Sequence, residues 1–439
     1  MCQNKTLIVL FLATLYGLVL KSYYIGRDFW HDEAFQVLFS QQSVTTILSS
    51  NDVHPPLFTL ITKGMVWFTT NPFFLRLTII IMSLMVAYAF FDLIKYLFNE
   101  QVGMYAYIFL SLSPTFALYS TEFRSYMFVM LLTIFQIKHF NKMLKAKYYN
   151  NNALFYILLS TAMVYSHYMA GLVIFTQLIY LFIIKKFWKH SFEYIMIGVY
   201  SIPLFIYVWN TLPKIQSFWF KDIGIKSLMS AFFFIFAQPE PASYHVITVV
   251  LFLIVILGMI LYARHLNIYH IQLINYIWIP ILTMWIISQV WPFFHHRYFM
   301  FGGIMLFALA GWVMYHAQKK YNNFVSVTFL FVFLAVLIIP IQSSAPLWES
   351  SRLIQQDYPV VHTSQFSQSS MKIYLPDHQH MLMTNFTKAE RFSAGGIVIM
   401  DSEIIHEFPE KPYYFVSDIT IGGGEYIFRK EGLNVKVFE

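Results

Sequence analysis

The chain has 439 residues, of which 58% are hydrophobic, 20% aromatic and only 12% charged, with a formal net charge of +7. Ordinary soluble domains carry about 25% charged residues, so a soluble fold of this length is excluded for want of polar surface. The apolar runs are continuous and longer than the roughly ten-residue alternating segments of a membrane β-barrel, which leaves an all-α polytopic membrane protein. The basic balance does not point to nucleic acid, because the lysines cluster in short loops between apolar runs, the pattern of a topology signal. A single cysteine, Cys2, excludes a disulfide within the chain.

The first apolar run, Leu7 to Leu20, has no convincing small-residue cleavage site and reads as a retained helix, not a signal peptide. A span needs about 20 mostly apolar residues. In chain order, spans are expected near residues 6–24, 74–97, 102–119, 126–141, 153–166, 169–184, 193–211, 245–263, 272–292, 298–316 and 324–342. Between the first two lies Pro55 to Phe68 (PPLFTLITKGMVWF), apolar but short, with Lys63 inside it. If it crossed, most of the later lysine-rich loops would face outward. If it lies in the interface, then Lys95, the Lys138/Lys142/Lys145/Lys147 cluster, Lys185/Lys186/Lys189, Arg264 and Lys319/Lys320 share one side with Lys5, as the positive-inside rule demands. The expectation is eleven spans, with the N-terminus cytoplasmic and the C-terminus outside. Residues 25–73 then form a large first external loop. Tyr119–Tyr126, Ser166–Tyr168, Leu212–His245 and His295–Tyr298 are external too.

The transmembrane region is expected over residues 1–342 and a small extracytoplasmic α+β domain over 343–439. The tail alternates short apolar runs with glycine and charge (GGIVIMDS, PYYFVSD, EYIFRKEGLNVKVFE), the look of strands and turns. It shows no catalytic motif, and Gly422-Gly423-Gly424 reads as a turn.

Nearly all the unusual polar residues fall in the external segments. The first loop holds Arg27, Asp28, His31, Asp32, Glu33, Asp52 and His54. YSTEFRSY brings Glu122, Arg124 and Tyr126; then come His167-Tyr168 and, much later, His295-His296-Arg297-Tyr298. Arg76, Arg124 and Arg297 stand near the outer ends of spans, where ionisable residues are costly and tend to be functional. An arginine fork there suits an anionic headgroup. Plainer explanations exist for each residue alone. Asp32 and Glu33 can favour the positive end of a helix running on through Phe35, Leu38 and Phe39. A boundary arginine can snorkel to lipid. Adjacent histidines are a weak metal signal, and Pro55-Pro56 simply starts a helix. Convergence of carboxylates, histidines and arginines from four external segments favours a site.

These motifs resemble those of the GT-C membrane glycosyltransferases, in particular the bacterial relatives of protein O-mannosyltransferases and of the aminoarabinose transferase of lipid A. WHDEAF followed by DVHPPLF carries most of the resemblance. YSTEFRSYM, SHYMA and the RYF beginning at Arg297 follow in order over about residues 1–320. The tail has no counterpart. The resemblance implies a sugar donor on polyprenyl phosphate in the outer leaflet of a bacterial cytoplasmic membrane, and transfer with inversion to a glycan, lipid or protein acceptor. It implies Asp32 as general base, with Glu33 beside it. It points to Arg124, Arg297, His54 and Tyr298 on the donor phosphate, and to Asp52, Glu122, Tyr126, His167, Tyr168 and His296 around sugar or acceptor. A divalent cation is left open, because dependence varies among branches and this chain lacks an Asp-x-Asp pattern near the first loop. QSFWF at 216–220 reads as a sugar-stacking loop or an interfacial aromatic belt. The alternative is a non-enzymatic flippase for lipid-linked sugars. That needs charge at mid-depth, whereas the ionisable groups here crowd one face and Asp92 sits towards the cytoplasmic end of its span. A third reading is an assembly protein whose external tail binds a partner.

Overall fold

A computed structural model describes residues 2–26, 29, 31–49, 54–147, 150–211, 224–225, 227–228, 231, 235, 243–290, 294–321, 359–362, 377–383, 404–405, 413–417, 425–430 and 433–438. The chain is a largely helical polytopic membrane protein. Its helices are α1 (Cys2–Ile25), α2 (His31–Gln41), α3 (Val44–Ser49), α4 (Pro56–Phe68), α5 (Pro72–Leu97), α6 (Glu100–Ser111), α7 (Pro114–Tyr119), α8 (Tyr126–Lys145) and α9 (Asn151–Ser166). After these come α10 (Gly171–Ile183), α11 (Ser191–Thr211), α12 (Ser243–Leu261), α13 (Ile268–Ile287), α14 (Met300–Gly303) and α15 (Met305–Tyr321). The expected span at 324–342 and the QSFWF segment lie outside the described residues.

Among the described residues, three helices are long and apolar enough to cross a bilayer unaided: Pro72–Leu97, Trp188–Trp209 and Ile268–Ile287. The bent pair His296–Gly303 and Met305–Lys320, turned by 48°, makes a fourth. Apolar helices of 10–17 residues stand at Thr6–Ser22, Tyr168–Ile183 and Phe252–Leu261. The expected span at 102–119 is broken. Ser113 accepts the Phe116 N–H and Pro114 opens α7, a capped start with proline where its missing donor costs nothing.

α4 is 13 residues long, about 20 Å at 1.5 Å per residue, too short for a hydrocarbon core of about 30 Å. It packs on α2 through a buried polar knot in which Gln36 Nε2 donates to Thr62 Oγ1 at 3.0 Å and to Ser40 Oγ at 3.2 Å. Lys63, the residue that argued against a crossing, donates to the Gln42 carbonyl just past the α2 C-terminus at 2.6 Å. Cations suit that negative end. Trp67 and Phe68 are 81% and 80% exposed on the last turn, the amphipathic anchors of an interface-lying helix.

The bundle core is tight. A Cβ at Gly311 would lie 2.7 Å from Ala106 N and 2.9 Å from Val102 O, so α15 meets α6 backbone to backbone. Deeper in, Gln136, Gln177 and Tyr276 form a closed network: Gln177 Nε2 donates to Gln136 Oε1 and Tyr276 OH, each at 2.8 Å, and Gln136 Nε2 donates to Gln177 Oε1 at 2.7 Å. All three are buried.

Among its described residues the tail carries a six-stranded mixed sheet of order β3-β2-β1-β4-β6-β5. The strands are β1 (Val360–His362), β2 (His380–Met383), β3 (Ile404–Ile405), β4 (Tyr413–Ser417), β5 (Glu425–Lys430) and β6 (Leu433–Phe438). β1 pairs in parallel with β2 and β4, and β6 in antiparallel with β4 and β5. PYYFVSD and EYIFRKEGLNVKVFE supply β4, β5 and β6 as expected. GGIVIMDS and the three glycines at 422–424 lie outside the described residues.

Candidate active site

The site is built on the first turn of α2. Asp32 and Glu33 both sit there, so the helix-terminus explanation is correct as to position. Each carboxylate also has its own guanidinium.

Glu33 and Arg76 are both fully buried and meet bidentately: Arg76 Nε donates to Oε1 at 3.0 Å and Nη2 to Oε2 at 2.7 Å. Glu33 Oε1 also accepts the Phe123 N–H at 2.9 Å. Arg76 Nη1 donates to the Ile25 carbonyl at 3.1 Å, and the guanidinium lies 5.1 Å from the centroid of buried Phe29. One ion pair thus ties the ends of α1, α2 and α5 to the turn at 120–125. A buried pair of this kind is costly to break, about 3–5 kcal/mol when one partner is removed.

Asp32 differs. It is 22% exposed, and its Oδ2 accepts from Arg297 Nη1 at 3.0 Å across 265 residues of chain. Arg297 belongs to the 3-10 turn His296–Phe299, and its N–H donates to His295 Nδ1 at 3.3 Å.

Arg124, also buried, holds α2 without using a carboxylate: Nη1 donates to the Asp32 backbone carbonyl at 3.1 Å and to Gln36 Oε1 at 3.4 Å. Its Nη2 lies 3.0 Å from His54 Nε2. Arginine only donates, so His54 accepts there. The His167 ring packs edge-on against His54 at 5.9 Å and lies 5.3 Å from Tyr298, 6.0 Å from Tyr126 and 5.1 Å from Phe301. Glu122 is buried in the same turn as Arg124 and accepts the Arg124 N–H at its carbonyl, 2.7 Å. Tyr168 opens the next 3-10 turn, half-buried. His296 stacks by His295 with ring centroids 4.3 Å apart.

Burial, followed by the Arg297 charge, lowers His295 to about 2. His167 is held well below its ordinary value by burial, then by His54, Arg124 and Arg297. His167 and His295 are therefore neutral. Among the described residues no group of three or more His, Cys, Asp or Glu is placed to hold a metal ion.

The structure thus gathers Asp32, Arg297, Arg124, His54, His167, Tyr126 and Tyr298 into one cluster. Asp52 lies outside the described residues, as do Arg27 and Asp28. Sequence reasoning did not find the Arg76 partnership or the role of Gln36. The second was accessible, because Gln36 stands one turn beyond Asp32 on the same helix face.

Comparison with known proteins bears on the fold that carries these residues. The dolichyl-phosphate-mannose-protein mannosyltransferase family matches residues 53–209. No curated protein matches the sequence. Among solved structures, apo ArnT from Cupriavidus metallidurans superposes with a TM-score of 0.63 at 12% identity, covering 100% of this chain and 98% of that one. The chain has the fold of the GT-C superfamily of membrane glycosyltransferases. The same ArnT bound to undecaprenyl phosphate gives 0.59 at 12% identity, covering 97% of each chain. The archaeal oligosaccharyltransferase AglB from Archaeoglobus fulgidus, in complex with an inhibitory peptide and a dolichol-phosphate, gives 0.55 at 9% identity, covering 95% of this chain and 70% of that one.

Proposed function

We propose that this protein is a glycosyltransferase that moves a hexosyl or pentosyl unit from a polyprenyl-phosphate donor to an acceptor on the external side of a bacterial cytoplasmic membrane. The acceptor is a lipid-linked glycan, a cell-wall polymer or a protein. The observation that carries the reading is the partly exposed Asp32 carboxylate 3.0 Å from Arg297, beside the Arg124–His54 contact. Two relatives of the same fold hold undecaprenyl phosphate and a dolichol-phosphate, which supports a polyprenyl carrier here.

In this reading Asp32 takes the proton of the acceptor hydroxyl as its oxygen bonds to the anomeric carbon from the face opposite the phosphate. The anomeric C–O bond breaks, and its electron pair leaves with polyprenyl phosphate, whose charge grows by one. Arg297 and Arg124 stabilise that charge, with His54 and Tyr298 close by. The configuration inverts. Glu33 acts as a positioning residue, because its clamp to Arg76 fixes the turn that carries Asp32. Glu122, Tyr126, Tyr168 and His296 face the sugar and acceptor, a role the sequence also gives to Asp52. A divalent cation stays open. Residues 25–73 form the first external loop, the N-terminus is cytoplasmic, and residues 343–439 form an extracytoplasmic domain over the 1–342 catalytic region.

The test is transfer from labelled polyprenyl-phosphate sugars in membranes reconstituted with the protein, read as release of polyprenyl phosphate. Asp32→Asn should lower the rate about 10²- to 10⁴-fold with little change in thermal stability. Equal rates in both proteins would remove Asp32 from the base role. Lipid scrambling without any transfer would favour a flippase instead.

A further inference from the structure

His167 ends α9. Its N–H still bonds to the Met163 carbonyl at 2.9 Å, while its own φ of −163° and ψ of 120° turn the chain out of the helix. Its side chain then caps the following turn, Nδ1 accepting the Met169 N–H at 3.3 Å. A neutral imidazole that accepts at Nδ1 carries its proton on Nε2. The residue is 4% exposed, and Nε2 has no hydrogen-bond partner among the described residues. A buried donor left without a partner costs about 1–3 kcal/mol. Packing alone does not explain that cost, since a phenylalanine would fill the same aromatic nest of Tyr126, Tyr298 and Phe301 without it.

The surroundings say what the donor is for. His54 touches the ring, and His54 is in contact with Arg124. Tyr298, the residue after Arg297, touches it from another side. The charges of Arg124 and Arg297 both act on His167 and, with burial, keep it neutral. A third cation here would add repulsion between like charges and a desolvation cost. A neutral N–H adds direction without either.

We infer that His167 donates a hydrogen bond through Nε2–H to a phosphate oxygen of the lipid-linked donor, and to the same oxygen of the polyprenyl phosphate that departs. This rests on the glycosyltransferase reading and moves His167 from the sugar and acceptor side, where the sequence put it, to the phosphate. It leaves the arginines to supply charge and makes the imidazole a fixed, uncharged pointer.

The experiment titrates the purified full-length protein in detergent with a short-chain polyprenyl phosphate, and with the matching polyprenol, which lacks the phosphate. His167→Gln keeps an N–H at similar reach; His167→Met has nearly the same shape and no donor. Wild type should bind the phosphate, and His167→Met should weaken it about 10- to 100-fold, the value of a hydrogen bond to a charged group. His167→Gln should recover most of the loss, with polyprenol binding equal in all three. In transfer assays the Met variant should raise KM for the donor more than it lowers kcat. If wild type does not bind polyprenyl phosphate, the glycosyltransferase reading itself fails. If wild type binds it and His167→Met binds equally well, or Gln and Met lose equally, the inference about His167 is overturned while that reading stands. Should His167→Met fail to fold, His167→Phe, which fills the aromatic nest, replaces it with the same two outcomes.

Discussion

Asp32 and Glu33 are neighbours in one helical turn, yet their surroundings divide them. Glu33 and Arg76 are both at 0% exposure and share two hydrogen bonds, with a third to the Phe123 N–H. Asp32 and Arg297 meet at 3.0 Å and keep 22% and 18% of their side-chain surface open. Saturation and burial make an ion pair a clamp. Partial exposure leaves a carboxylate within reach of a second molecule. Sequence adjacency therefore brings the two acids together without making them equivalent.

The comparison can be broken most decisively at Arg76. Arg76→Ala should cost about 3–5 kcal/mol of stability by leaving Glu33 buried and uncompensated, read as a large fall in the thermal midpoint. The double variant Arg76→Leu, Glu33→Met should regain much of it. A stable Arg76→Ala that merely loses transfer would erase the distinction, because the clamp would then belong to the chemistry. A smaller effect is expected at Arg297. Arg297→Lys keeps the charge and loses the fork. Transfer should fall about tenfold, the value of one hydrogen bond to a charged group. Stability should change by less than about 1 kcal/mol, as for a partly exposed pair.

The poles of the site were legible in the sequence because charge is rare in this chain. Asp32, Arg124 and Arg297 stood out at the outer ends of apolar runs, where desolvation makes an idle charge expensive. Which arginine takes which acid was not legible, since the Asp32–Arg297 contact spans 265 residues and depends on helix packing. Arg76 was visible only as a boundary residue, because nothing local to PFFLRL reveals a partner 43 residues earlier. The break between α6 and α7 had its signal in Ser113-Pro114, but continuous hydropathy over 102–119 concealed it. In the tail, β4, β5 and β6 showed as short apolar runs set between glycine and charge. β1 and β2, of three and four residues, are too short for any period to register.

Arg124 reaches the Asp32 main-chain oxygen and Gln36, so its position is set before any ligand arrives. In the proposed reaction, a grip fixed in advance cannot loosen when the bond has broken. The same fork that welcomes a growing negative charge would then hold the spent carrier lipid, and the pace of the whole cycle would be governed by how fast the site empties.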